Sequence, residues 1–188
     1  MKSPYQLWLS LLALVGCGGG FQDTTVNGLK NFAAFSPEVQ GIYRVAHPTT
    51  IAAWLELQKR VQQPGKSVLF VQLHDDVEGD DEPFTKLLGW DLLKVPMPPE
   101  DDKPWTVLEL PKKTDVQRAI DAIWNAHLAG QVVVFGCVHA RDRTSLVAAV
   151  LGMQKLGWTK DFAWKNMLDH GFRWELPDLD IYFATEVP

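Results

Sequence analysis

Three short, nearly unbroken apolar runs constrain the fold of this chain most: SVLFVQL at 67–73, Leu92 to Val95, and Val132 to Phe135. A strand with one wet face alternates apolar and polar residues, whereas a run that is apolar throughout is covered on both faces, as in a parallel sheet. Between the last two runs, residues 114–128 place Val116, Ile120, Ile123, Trp124 and Leu128 on one side of a helix. Upstream, GIYRVAHP at 41–48 reads as a strand ended by Pro48. Residues 49–62 then carry Ile51, Trp54, Leu55, Leu57 and Val61 on a broad helical face, with Thr49 or Thr50 as N-cap. After the third run, residues 144–157 form a predicted helix that buries Leu146, Val147, Val150 and Leu151 and stops at Gly157. Two further helices, at about 159–169 and 177–185, close the chain. This alternation predicts an α/β domain with a central, mainly parallel sheet flanked by helices.

The third run leads directly into Gly-Cys-Val-His-Ala-Arg-Asp-Arg-Thr, residues 136–144. Cys137 is followed after five residues by Arg143 and Thr144, between a predicted buried strand and a helix start. The five residues Val138, His139, Ala140, Arg141 and Asp142 can curl so that their backbone N–H groups, with that of Arg143, converge on one point. Together with the positive end of the following helix they make an anion cradle. Arg143 offers a planar fork to two phosphate oxygens, and the same field favours a Cys137 thiolate as nucleophile. An Arg at this spacing arises by chance at about 5 % and a Ser or Thr next at about 12 %, so two cysteines give a chance match on the order of 1 %.

Cys-x5-Arg-Thr in this setting resembles the signature of the cysteine-dependent protein tyrosine phosphatase superfamily. Tyr43-Arg44-x-x-x-Pro48, followed by a helix and the VLFVQL strand, is similar to the opening of its small dual-specificity-like members, with the same order of elements from Gly41 to about Phe172. The resemblance implies a dual-specificity phosphatase-like fold, a phosphocysteine intermediate on Cys137, a Thr144 hydroxyl that helps the thiolate leave, and no cofactor. It also implies that Arg44 approaches the active-site face, where it could meet substrate. Two positions differ from the family pattern. The residue before the cysteine, usually His, is Gly136, and the glycine common three residues after it is Ala140, an expensive exchange if that backbone requires a positive φ.

Such a phosphatase needs a general acid for the leaving oxygen. The segment MPPEDDKPW at 97–105 is a Pro-bounded acidic loop after the second apolar run, and Asp101, then Asp102, then Glu100 are the candidates. His139 and Arg141 project from the phosphate loop and suit a polyanionic substrate, while Asp142 opposes one. The implied substrates are proteins carrying phosphotyrosine, phosphoserine or phosphothreonine, or inositol polyphosphates. A phosphate-ester-binding module without turnover is the alternative, and a rhodanese-like sulfurtransferase is disfavoured by the Arg-Thr ending. The acidic run from His74 to Glu82 reads as a surface loop, and no spacing in it matches a metal-ligand loop, so no metal is expected.

The first residues, MKSPYQLWLSLLALVGCGGG, have one lysine and an apolar run from Leu7 to Val15, too short to span a bilayer as a mature helix, which is the anatomy of an export signal. Leu14-Val15-Gly16-Cys17 resembles the lipobox of bacterial lipoproteins, in which Cys17 is lipidated. Gly18, rather than Asp, resembles the outer-membrane sorting signature. The expectation is an exported protein, held by lipid on a bacterial membrane facing the periplasm. Residues 1–16 would be signal peptide, 17–31 the lipidated N-terminus and linker, and 32–188 one phosphatase-like domain. With 18 basic against 23 acidic residues and a net charge of −5, the chain lacks the broad positive surface that sequence-independent nucleic-acid binding needs.

Overall fold

The fold was read from a computed structural model, which describes residues 24–26, 28–75, 79–98, 110–173 and 177–186. The elements in chain order are β1 (Thr25–Val26), β2 (Leu29–Lys30), β3 (Ala33–Ser36), β4 (Val39–Ala46), α1 (Ile51–Val61), β5 (Val68–Gln72), α2 (Glu82–Leu88), β6 (Asp91–Lys94), α3 (Lys113–Leu128), β7 (Val132–Cys137), α4 (Asp142–Leu156), α5 (Lys160–Asp169) and α6 (Pro177–Glu186). The main sheet has the order β3-β4-β7-β5-β6. β4, β7, β5 and β6 run parallel, and β3 joins antiparallel through its hairpin with β4. This is the expected α/β architecture with a mainly parallel sheet.

Both faces of the sheet are covered, as the apolar runs require. Leu73, Phe135, Ile120, Ile123, Leu146 and Leu151 belong to the core on the α3 and α4 side. Val45, Trp54, Leu57, Phe70 and Val134 form a separate core under α1. Thr50 caps α1, its hydroxyl accepting from the Ala53 amide at 3.2 Å. The buried stripe of α1 is narrower than the periodicity predicts: Ala53, Trp54, Leu57 and Val61 face inward, whereas Ile51 and Leu55 are exposed. Leu128, at the last turn of α3, is likewise exposed, and Ala119 and Ala126 take up the buried face instead.

Two segments differ from the sequence expectation. Residues 24–31, assigned to the linker, hold the β1–β2 hairpin, in which Leu29 is 1 % exposed against the α1 core. Asn31 closes this hairpin, giving its amide to the Thr24 carbonyl at 2.8 Å and accepting the Thr24 amide on Oδ1 at 3.0 Å. The run His74–Glu82 is no simple surface loop either. His74 and Asp81 are fully buried, and the run ends by entering α2. The Gln72 side chain anchors it by donating to the carbonyls of His74 at 3.0 Å and Gly79 at 3.3 Å, a tether that charge patterning alone does not reveal.

α4 is the central helix. Every residue from Asp142 to Gly152 is buried, so it packs on all sides, against β7 beneath and α3, α5 and α6 around it. Its left-handed C-cap is Gly157, as expected. β7, all six residues of which are buried, aims its C-terminal end at the start of this helix. Gly136 lies where β4 presses closest: a Cβ built there would collide with the carbonyl oxygen of Val45. Gly136→Ala is therefore expected to lower stability by about 1–3 kcal/mol, the range for overpacking a filled core. A urea unfolding midpoint equal to that of the wild type would contradict the close approach.

Candidate active site

The loop between β7 and α4 is fixed at its entry by backbone pairing on both sides. The His47 amide, just beyond β4, donates to the Cys137 carbonyl at 2.9 Å, and the Leu73 amide, just beyond β5, donates to the Gly136 carbonyl at 2.8 Å. Cys137 is therefore held before the loop turns. Its Sγ accepts a hydrogen bond from the Thr144 hydroxyl at 3.0 Å, in the first turn of α4. Cys137 is 2 % exposed and Thr144 fully buried. The first amides of a helix have no intrahelical acceptor, and the positive end of the α4 dipole falls at this loop.

Ala140 has φ 54°, so the backbone there is left-handed. A step of this kind turns successive N–H groups to one side and makes an anion nest. It is also the conformation for which glycine is the usual residue, and the sequence departure at Ala140 is therefore a strained one. Two side chains hold the loop in that shape. Asn31 Nδ2 donates to the His139 carbonyl at 2.8 Å. Arg44 donates from one Nη to the Ala140 carbonyl at 3.3 Å and to the Ser145 hydroxyl at 2.6 Å.

Arg44 thus reaches the loop as a buried side chain. It is 1 % exposed. Burial lowers its pKa to about 10, partly opposed by the electrostatic interaction with Cys137, and it remains a cation at neutral pH. His170 feels the same cation: burial first, and then the Arg44 charge, hold its pKa below the ordinary histidine value.

Arg143 is 5 % exposed and donates from Nη1 to the Met97 carbonyl at 3.3 Å, tying the loop to the chain that leads into the acidic segment. Asp142, whose charge would oppose an anion, is turned aside and neutralised. Its carboxylate accepts Arg173 Nε at 3.0 Å and Nη2 at 2.7 Å on one oxygen, and the Arg173 amide at 2.9 Å on the other. Arg141 donates to the Gly171 carbonyl at 2.8 Å, so it secures the chain after α5. His139 is exposed on the loop, and Val138 is partly so. The general-acid candidates Asp101, Asp102 and Glu100, and the lipidation candidate Cys17, lie outside the described residues.

The structure thus brings Arg44, Cys137, Arg143 and Thr144 to one place. It adds Asn31, Ser145 and Arg173, which the sequence reading missed. Ser145 directly follows the motif and could have been suspected. Asn31 and Arg173 carry no local signal, because their partners are 108 and 31 residues away along the chain.

No protein-family model matches the chain, and no curated protein matches it in sequence. Solved structures do share its fold. The core catalytic domain of the PP-IP phosphatase SIW14 from S. cerevisiae, in complex with citrate, superposes with a TM-score of 0.61 at 18 % identity, over 82 % of this chain and 84 % of that one. TpbA from P. aeruginosa, in complex with pTyr, gives a TM-score of 0.61 at 22 % identity, over 87 % and 88 %. PTPMT1 in complex with PI(5)P gives 0.57 at 12 % identity, over 81 % and 94 %. The α/β fold with its mostly parallel five-stranded sheet is that of these protein tyrosine phosphatase-like neighbours.

The strain at Ala140 is measurable by comparing two alanines. Ala140→Gly loses a buried methyl, about 0.8 kcal/mol, and gains unfolded-chain entropy, but releases about 1–2 kcal/mol of left-handed strain. Ala149→Gly, at a fully buried position inside α4, has the losses without the release. The loop substitution should leave the urea midpoint near wild type, and the helix one should lower stability by about 1–2 kcal/mol. Equal losses would mean that Ala140 is unstrained.

Proposed function

We propose that this protein is a phosphoric monoester hydrolase that works through a phosphocysteine on Cys137. The observation that carries the reading is the hydrogen bond from Thr144 to Cys137 Sγ at the start of α4, with Arg143 next to Thr144. Support also comes from fold neighbours that are phosphatases of the protein tyrosine phosphatase type. In the proposed reaction Sγ attacks phosphorus and the ester P–O bond breaks. Arg143 and the loop amides hold the transferring phosphoryl oxygens. The leaving oxygen takes a proton from Asp101 or Asp102. Water, deprotonated by the same carboxylate, then attacks phosphorus, the S–P bond breaks and inorganic phosphate departs. Thr144 donates to the sulfur as the thiolate re-forms. No step passes through a metal.

The neutralisation of Asp142 by Arg173 supports an anionic substrate, since it removes the acidic charge that opposed one. The exposed His139 adds a group that can meet further phosphates. Phosphoproteins and inositol polyphosphates are the substrate classes proposed. Cys137→Ser should abolish phosphate release from para-nitrophenyl phosphate while the thermal midpoint stays within a few degrees. Undiminished turnover in the variant would refute the nucleophile. A wild-type protein that binds phosphate esters without hydrolysing them would instead establish the binding module.

We also propose that the chain is exported and lipid-anchored through Cys17 on the periplasmic side of a bacterial membrane, at the outer membrane. The Leu-Val-Gly-Cys sequence after an apolar run supports this reading. Metabolic labelling with a fatty acid should mark the wild type and not Cys17→Ser; absence of label from both would remove the anchor.

A further inference from the structure

Apart from the phosphate loop, the described residues hold one cluster of metal-ligating side chains whose donor atoms converge: His47, His74 and Asp81, all within 4.8 Å of one another. His47 Nδ1 lies 2.7 Å from Asp81 Oδ1, and His74 Nε2 lies 3.6 Å from Asp81 Oδ2. The two imidazoles meet edge to face, with ring centroids 5.0 Å apart. His74 and Asp81 are fully buried, and His47 keeps 11 % of its side chain exposed.

A hydrogen-bonded knot of polar side chains is the simpler reading, but it leaves Asp81 poorly served. Asp81 Oδ2 is buried and has no hydrogen-bond partner among the described residues. A buried carboxylate oxygen in that condition is expensive, and a cation is the natural compensation. Two imidazole nitrogens and one carboxylate are a zinc-type donor set, with the fourth position left for water. Neighbouring ligand atoms on a tetrahedral zinc are about 3.3 Å apart, given metal–ligand bonds of about 2.0 Å. The observed contacts reach two different Asp81 oxygens, Oδ1 at 2.7 Å from His47 and Oδ2 at 3.6 Å from His74, and the three donor atoms lie within 4.8 Å of one another, so small side-chain rotations close the set on one ion.

The backbone around the cluster is already fixed. Gln72 holds the carbonyls of His74 and Gly79, the His47 amide is bound to the Cys137 carbonyl, and the Asp81 carbonyl accepts the Thr85 amide at 3.0 Å. Gly79 lies against the His47 ring, where a Cβ would come within 2.6 Å of Nε2, so the lack of a side chain lets this segment close over the imidazole. His47 follows β4 and His74 follows β5, the two strands that flank β7. We infer that His47, His74 and Asp81 bind one divalent transition-metal ion of the zinc class, which ties together the strand ends on either side of Cys137. In the bound state His47 offers its Nδ1 lone pair with the ring proton on Nε2, and no redox step is involved. The inference does not depend on the phosphatase reading.

The test uses tag-free full-length chain with Cys17→Ser and Cys137→Ser, so that no thiol contributes. Zinc titrated against a chromogenic chelator should bind at one ion per chain and raise the thermal midpoint by several degrees. Cobalt should give visible d–d absorption without a thiolate charge-transfer band. Asp81→Asn, which preserves shape, and His74→Gln should each weaken zinc binding on the order of 100-fold while circular dichroism stays unchanged. A folded parent protein that takes up no zinc or cobalt would overturn the proposal. So would equal binding by the parent and both variants. Should a variant fail to fold, the stoichiometry and cobalt spectrum of the parent decide alone.

Discussion

The structure depends on how β7 ends. Six consecutive buried residues, paired to β4 on one side and β5 on the other, leave this strand no freedom to slide or twist away. The pairing continues past the neighbouring strands through the His47 and Leu73 amides, so Gly136 and Cys137 are still held when β4 and β5 have finished. At the other end of the loop, α4 is enclosed on all sides from its first residue. Only Val138, His139, Ala140 and Arg141 separate two rigid elements, and the reversal between them requires a left-handed step. The shape of the loop between β7 and α4 is thus imposed by the packing on either side of it.

That geometry places several charges in poor contact with water: Arg44, Asp142 and Arg143 are each 5 % exposed or less. Buried charges persist only when paired and hydrogen-bonded. Asp142 has a bidentate partner in Arg173, so it is spent on joining α4 to the chain after α5. Arg44 has two oxygen acceptors and the field of Cys137. Asp142 is paired to Arg173, while Arg44, Arg143 and the start of α4 bring positive charge to the loop even though the whole chain is acidic. Net charge, which is a sum over the whole chain, could not reveal this local arrangement.

The sequence made the sheet legible because continuous apolar runs have few other uses. Cys137, Arg143 and Thr144 were legible because their chemistry depends on spacing along a single loop. Contacts across the fold were not. Asn31 was assigned to a linker, yet it closes a hairpin and holds the His139 carbonyl. Arg44 is expected near the active-site face, but nothing in the local sequence shows that its guanidinium turns to the Ala140 carbonyl and the Ser145 hydroxyl. The run from His74 to Glu82 looked solvated because its charges are dense. Within it His74 and Asp81 are buried, and the partners that hold them, His47 for Asp81 and Gln72 for the His74 carbonyl, come from strands or strand ends that meet only once β4, β7 and β5 are aligned.

The two departures from the phosphatase signature have a common physical basis. Where the resembling family carries a histidine before the cysteine, the β4 backbone here occupies the space, and no side chain fits at Gly136. Positioning of the loop has therefore passed to side chains from outside it. Left-handed Ala140 costs about 1–2 kcal/mol relative to a relaxed backbone. Against this stand the hydrogen bonds from Asn31 to the His139 carbonyl and from Arg44 to the Ala140 carbonyl, which brace the peptides on either side of the left-handed step. These bonds make Asn31 and Arg44 part of what shapes the loop. A loop shaped by its own sequence would tolerate their loss, and this one is shaped by theirs.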